Sequence, residues 1–146
     1  MQVSVGQIAS ALGGESLIRH PVRHESDLMA IVESGLPIES LIHLQTKFGF
    51  TNKAMSQILA ISESTYQRRI RAVEKLTRDE TEKVIALSEI YERGMEVFEN
   101  QPDFQEWLNA QIVSLQHQRP VDLLDTVSGR KQLMRVLNAI LHGIYL

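Results

Sequence analysis

Apolar residues recur at helical spacing through most of the chain, and no stretch alternates apolar and polar in the way a strand requires. Ser4 to Leu12 reads as a short helix stopped by Gly13-Gly14, and Ser26 to Ser34 as a second stopped by Gly35. Pro37 opens a third, with Ile38, Leu41, Ile42, Leu44 and Phe48 on its apolar side and Gly49 at its end. Thr51 is placed to cap a helix running through Leu59, in which Ala54, Met55, Ile58 and Leu59 face inward. Ala60-Ile61-Ser62 make a short turn, and a further helix runs through Tyr66 to about Arg71.

The second half continues in the same way. Thr77-Arg-Asp-Glu80 has the form of a capping box and opens the longest helix, with Val84, Ile85, Leu87, Ile90 and Tyr91 inward and an end near Gly94. Asp103 is expected to cap a helix carrying Phe104, Trp107, Leu108 and Ile112. Pro120 suits the first position of a single turn that points two leucines inward, and Asp125 or Thr126 can cap the final helix. In that helix Leu133, Val136, Leu137, Ile140 and Leu141 form one stripe, until Gly143 breaks it. The expected fold class is all-α.

Two short helices joined by a tight turn, at Thr51 to Arg71, are the layout of a helix-turn-helix, whose second helix enters the major groove of DNA. Tyr66 and Ile70, four apart, are expected to anchor its inner face. Ser64, Thr65, Gln67 and Arg68, early in the helix, are the candidates for base contact. Arg69, Arg71 and Lys75 are the candidates for phosphate contact. At the turn, Ala60 stands where glycine is common, and its Cβ resists a left-handed backbone.

Charge sharpens that reading. The chain of 146 residues carries a net −3, yet Lys47 to Arg78 holds seven cations against Glu63 and Glu74. That is a surplus of +5, leaving −8 for the remainder. A basic segment in an acidic chain provides the local phosphate-binding face that DNA binding needs, whatever the global sum. Charge alone is equally compatible with a solvated helix face.

Other chemistry is sparse. Cysteine is absent, which excludes disulfides and thiol chemistry, and no apolar run approaches a membrane span. The N-terminus lacks the basic start of a secretory signal, so a cytoplasmic protein with no membrane association is expected. Among five histidines, His20 and His24 are separated by Pro21, which spoils a helical metal pair, and no HExxH or nucleophile elbow occurs. Asp122 and Asp125 read as helix caps, not as an acid/base pair, and Trp107 reads as core. An enzyme, a metal site and a cofactor are not expected.

The C-terminal wording RPVDLLDTVSGRKQLMRVLNAILHGIYL, preceded by VFENQPDFQEWLNAQ, resembles the toxin-binding domain of the Xre/MbcA/ParS antitoxin family. Residues 35–96 resemble that family's helix-turn-helix half. The resemblance implies a helix-turn-helix domain, placed at 26–96, and a small helical toxin-binding domain at 97–146; it does not cover residues 1–25, which are expected to form an N-terminal helical arm or an extra layer on the core. It also implies an antitoxin that neutralises a RES-type, NAD-degrading toxin and represses its own operon by binding operator DNA as a homodimer.

Arg119 and Arg130 are the expected polar contacts to that toxin. The apolar tail Ile144, Tyr145 and Leu146 is the expected anchor, because exposed apolar residues and a tyrosine suit an interface. The tail is equally suited to closing the protein's own small core. Two other readings remain open: a stand-alone transcription regulator whose C-terminal domain only dimerises, and an antitoxin whose helix-turn-helix serves docking instead of DNA binding.

Overall fold

The computed structural model describes residues 2–143, which puts the expected anchor Ile144, Tyr145 and Leu146 outside the described residues. Those described form nine α-helices, two 3-10 turns and one isolated β-bridge. The chain divides into two compact units, Met1–Glu89 and Ile90–Leu146. The division falls inside the longest helix, seven residues before the boundary suggested by sequence. No helix among the described residues is long and apolar enough to cross a membrane.

The first unit opens with α1 (Val5–Ala11), α2 (Gly14–Ile18) and α3 (Glu25–Ser34). Ser4 and Gln7 cap α1 reciprocally, each side chain taking up the other's backbone N–H. The pair of glycines ends α1 as expected. Gly13 takes a left-handed φ of 96° that turns the chain, and α2 starts immediately after it. Both helices pack on α4 (Ile38–Phe48), so the first residues belong to the unit's core and do not stand apart as an arm.

Then come α5 (Asn52–Leu59) and α6 (Glu63–Ala72), which pack against each other. Thr51 and Ser62 cap them, each hydroxyl accepting an N–H three residues on. The turn between them closes with Ala60 in the left-handed region, φ 61°, despite its Cβ. Val73 does the same after α6, at φ 53°.

α7 (Arg78–Phe98) opens on the expected box: the Thr77 N–H donates to the Glu80 carboxylate at 2.8 Å, and the Glu80 N–H donates to the Thr77 hydroxyl at 3.2 Å. Its inward residues Val84, Ile85, Leu87, Ile90 and Tyr91 are all buried. Gly94 lies within this helix and does not end it. A Cβ there would meet the Phe104 ring at 2.1 Å, so glycine serves close packing of α8 (Gln101–Leu108).

The second unit is built from the end of α7, then α8, the 3-10 turns Val113–Leu115 and Pro120–Leu123, and α9 (Val127–Leu141). Tyr91, Phe98, Phe104 and Trp107 form an aromatic cluster with ring centroids 5.4–6.3 Å apart, an offset arrangement that stabilises beyond simple burial. Asn100, not Asp103, caps α8: its side-chain oxygen accepts the Asp103 N–H at 2.9 Å. Glu99 leaves the helical region at φ 68° and Pro102 fits the first turn, so the cap falls three residues earlier than expected. Ile112 lies beyond α8 and pairs with Gln118 in the bridge.

Candidate functional site

Helices α5 and α6 present the expected helix-turn-helix. On α6, Ser64, Gln67, Arg68 and Arg71 are exposed and Thr65 is half-buried. Lys75, three residues beyond the helix, is exposed as well. Arg68 has one guanidinium nitrogen 3.0 Å from Glu74, a surface pair that a stronger anion can displace.

Arg69 is placed otherwise. It is 8% exposed and faces inward, donating to both Glu80 oxygens at 2.6 and 2.8 Å and to the Lys75 carbonyl at 3.3 Å. Glu74 lies 3.2 Å from the same guanidinium. The hydrogen bonds that Arg69 donates to Glu80, then the charges of Glu80 and Glu74, push the Arg69 guanidinium up, and the same bonds hold the Glu80 carboxyl below the usual carboxylate range. A guanidinium so occupied has little left to offer a DNA phosphate. The inner face of α6 is therefore Tyr66 with Arg69, three apart; Ile70 is only half-buried.

A second buried connection sets the pitch of α6. The Tyr66 hydroxyl donates to the Gln45 side-chain oxygen at 2.5 Å, while the Gln45 amide donates to the Phe50 carbonyl at 3.1 Å and to the Asn52 side chain at 2.8 Å. One glutamine on α4 thus ties the start of α5 to the middle of α6. Burial pushes the Tyr66 phenol up to about 12, so it remains a neutral donor. Neither Gln45 nor Glu80 was legible as a positioning residue, because each acts on a helix remote in sequence.

In the second unit, Arg119 and Arg130 sit at opposite ends of the turn Pro120–Leu123. Arg119 grips the Asp122 carboxylate with two bonds of 3.0 Å, at an exposed position. Arg130 is half-buried and donates to the Leu124 carbonyl at 2.9 Å, and its burial pulls the guanidinium down from its ordinary range. Thr126 caps α9 by accepting the Gly129 N–H at 3.0 Å. A Cβ on Gly129 would lie 2.0 Å from the Leu123 carbonyl oxygen, so only glycine lets α9 start this close to the preceding turn.

The stripe of α9 departs from expectation at one place. Leu133, Val136 and Leu137 are buried, but Ile140 is 42% exposed, and Ala139 takes an inward position instead. Val113 at 77% and Val127 at 60% are the other large apolar side chains left in water among the described residues of this unit. Sequence pattern missed them, since neither belongs to a helical stripe. Among the described residues no group of three His, Asp or Glu side chains is arranged to hold a metal ion.

These features define a helix-turn-helix protein with a second, separately packed helical domain. Residues 27–88 match the family model of the antitoxin Xre-like helix-turn-helix domain, and residues 93–143 match that of the antitoxin Xre/MbcA/ParS C-terminal toxin-binding domain. The chain belongs to the Xre-type antitoxins. It is similar to Antitoxin Xre of Photorhabdus laumondii subsp. laumondii, with 28% identity over 118 residues covering 80% of each chain.

Proposed function

We propose that this antitoxin neutralises a RES-type, NAD-degrading toxin through its C-terminal domain and represses its own operon through α5 and α6, acting in the cytoplasm as a homodimer. The observation that carries the toxin half is the match of residues 93–143 to a toxin-binding domain, with Arg119 and exposed Val113 and Val127 in that unit. Exposed apolar side chains among charged ones suit a surface that a partner covers. Ile144, Tyr145 and Leu146 complete this assignment as the apolar anchor.

The DNA half is supported by the exposed edge of α6. Ser64, Thr65, Gln67 and Arg68 are the proposed base contacts, and Arg71 and Lys75 the proposed phosphate contacts. Arg69 becomes a positioning residue. A homodimer suits the reading because paired recognition helices match a palindromic operator.

The test is growth and cellular NAD in cells that express the RES-type gene next to this one, alone and with the antitoxin. Arrest with NAD loss, relieved by co-expression, is expected. Toxicity that this chain cannot relieve, or no toxicity, would leave the regulator reading as the better one. Removing residues 97–146 is expected to abolish rescue.

A further inference from the structure

The residues before the helix-turn-helix match neither family domain, and the fold carries two of them to the end of α6. The Arg19 guanidinium, just after α2, donates to Glu39 on α4 at 2.8 Å, which fixes where this cation stands. On the other side, the Leu76 N–H donates to the Leu36 carbonyl at 2.9 Å and holds the segment after α6 against the α3–α4 connection. Between these two anchor points lies a cavity of about 250 Å³, lined among others by Arg19, His20, Glu39, Val73 and Lys75.

The cavity's charge is positive. Glu39 is balanced by Arg19, and the Lys75 ammonium has no carboxylate partner among the described residues. Arg19 engages Glu39 through one terminal nitrogen and is 66% exposed at its side chain, so further N–H donors remain for a ligand. The His20 Nδ1–H donates to the Pro21 carbonyl at 2.7 Å, which leaves Nε2 as the ring's other polar atom. Val73, 58% exposed and held at φ 53°, forms an apolar edge.

We propose that this cavity is a phosphate subsite of the DNA-binding surface, in which Arg19 and Lys75 hold one phosphate of the duplex backbone beyond the reach of the recognition helix. The inference rests on the reading of α5 and α6 as a DNA-binding unit. It gives the N-terminal residues a role: they extend the footprint by one backbone contact and add no sequence reading, because phosphates are the same at every base pair. Glu39 is the built-in restraint. By occupying part of Arg19 it holds the guanidinium in place and also lowers its attraction for a phosphate.

The test uses the full chain and a duplex from upstream of its own coding sequence, with binding followed by fluorescence anisotropy over a potassium chloride series. Arg19→Ala alone is expected to weaken binding about threefold, an unchanged affinity overturning the subsite, and replacing both Arg19 and Lys75 by Ala is expected to weaken it about three- to tenfold and to reduce the salt slope by about 0.9, the value for one phosphate contact. Glu39→Gln is expected to strengthen binding, and Lys131→Ala, in the second unit, to change nothing. A wild-type chain that does not bind the duplex overturns the DNA reading and this subsite together. Wild-type binding with an unchanged double variant overturns the subsite alone, as does weaker binding with an unchanged slope. Saturable binding of inorganic phosphate by the free protein, lost in the double variant while its DNA slope is unchanged, marks a site for free phosphate and also overturns the assignment.

Discussion

Arg69 of α6 and Glu80 in the first turn of α7 face each other through two hydrogen bonds, at 2.6 and 2.8 Å, in a part of the first unit that leaves only 10% and 14% of their side chains exposed. Glu80 also accepts the Thr77 N–H, so one carboxylate closes the cap of α7 and clamps α6 to it. The orientation of the exposed edge of α6 therefore depends on a carboxylate at the start of another helix.

Removing one partner of such a pair strands the other. Arg69→Ala is expected to cost about 2–4 kcal/mol of stability, measured by urea denaturation. Arg71→Ala, at an exposed position, is expected to stay within about 0.5 kcal/mol while weakening DNA binding. Equal stability losses in both variants would contradict the division between positioning and contact.

Acid stability depends on the same pair. The Glu80 carboxyl is held below its ordinary 4.5, first by the Arg69 hydrogen bonds. A depressed carboxyl contributes its full stability above the unfolded value and loses it as pH falls through the folded one. Glu80→Gln should therefore flatten part of the decline in melting temperature below about pH 4.5. Asp27, also depressed by N–H bonds from Arg23 and His24, supplies a share that the variant retains.

Tyr66→Phe removes the hydroxyl that binds Gln45 and leaves a buried acceptor short of a donor. A loss of about 1–2 kcal/mol is expected in chemical denaturation. Because Gln45 also holds Asn52 and the Phe50 carbonyl, faster amide exchange at the start of α5 should accompany it. A variant as stable as wild type would show the bond to be dispensable.

Two left-handed non-glycine residues flank α6. Ala60→Gly and Val73→Gly remove a Cβ from φ 61° and φ 53°, and each is expected to stabilise by about 0.5–1 kcal/mol, read from the thermal midpoint. A decrease in both would mean that the side chains contribute more than the strain they impose.

Gly129→Ala places a Cβ 2.0 Å from the Leu123 carbonyl oxygen and must push the turn Pro120–Leu123 off α9. We expect a loss of about 2–4 kcal/mol in the second unit and weakened toxin capture in co-purification. Arg119→Ala, at an exposed position with its partner Asp122, is expected to alter capture with little change in stability. Capture unchanged in Arg119→Ala would remove that residue from the proposed interface.

Periodicity and end signals in the sequence alone determined the all-helical class, the helix-turn-helix, the Thr77–Glu80 box and the apolar stripe through Leu133 and Leu137, because each depends on residues within one or two helical turns of one another. They failed where a local signal had two outcomes: Gly94 as a stop or a packing site, Asp103 or Asn100 as the cap, Ile140 inward or outward. Only the folded chain decided these: the Phe104 ring packs on Gly94 from another helix, whereas the cap of α8 follows from the left-handed φ of Glu99 just before it. The same holds for Arg69. Its type and position fit a phosphate contact, but folding brings Glu80, eleven residues away, within 2.6 Å, and a buried charge takes the nearest opposite charge before any ligand arrives.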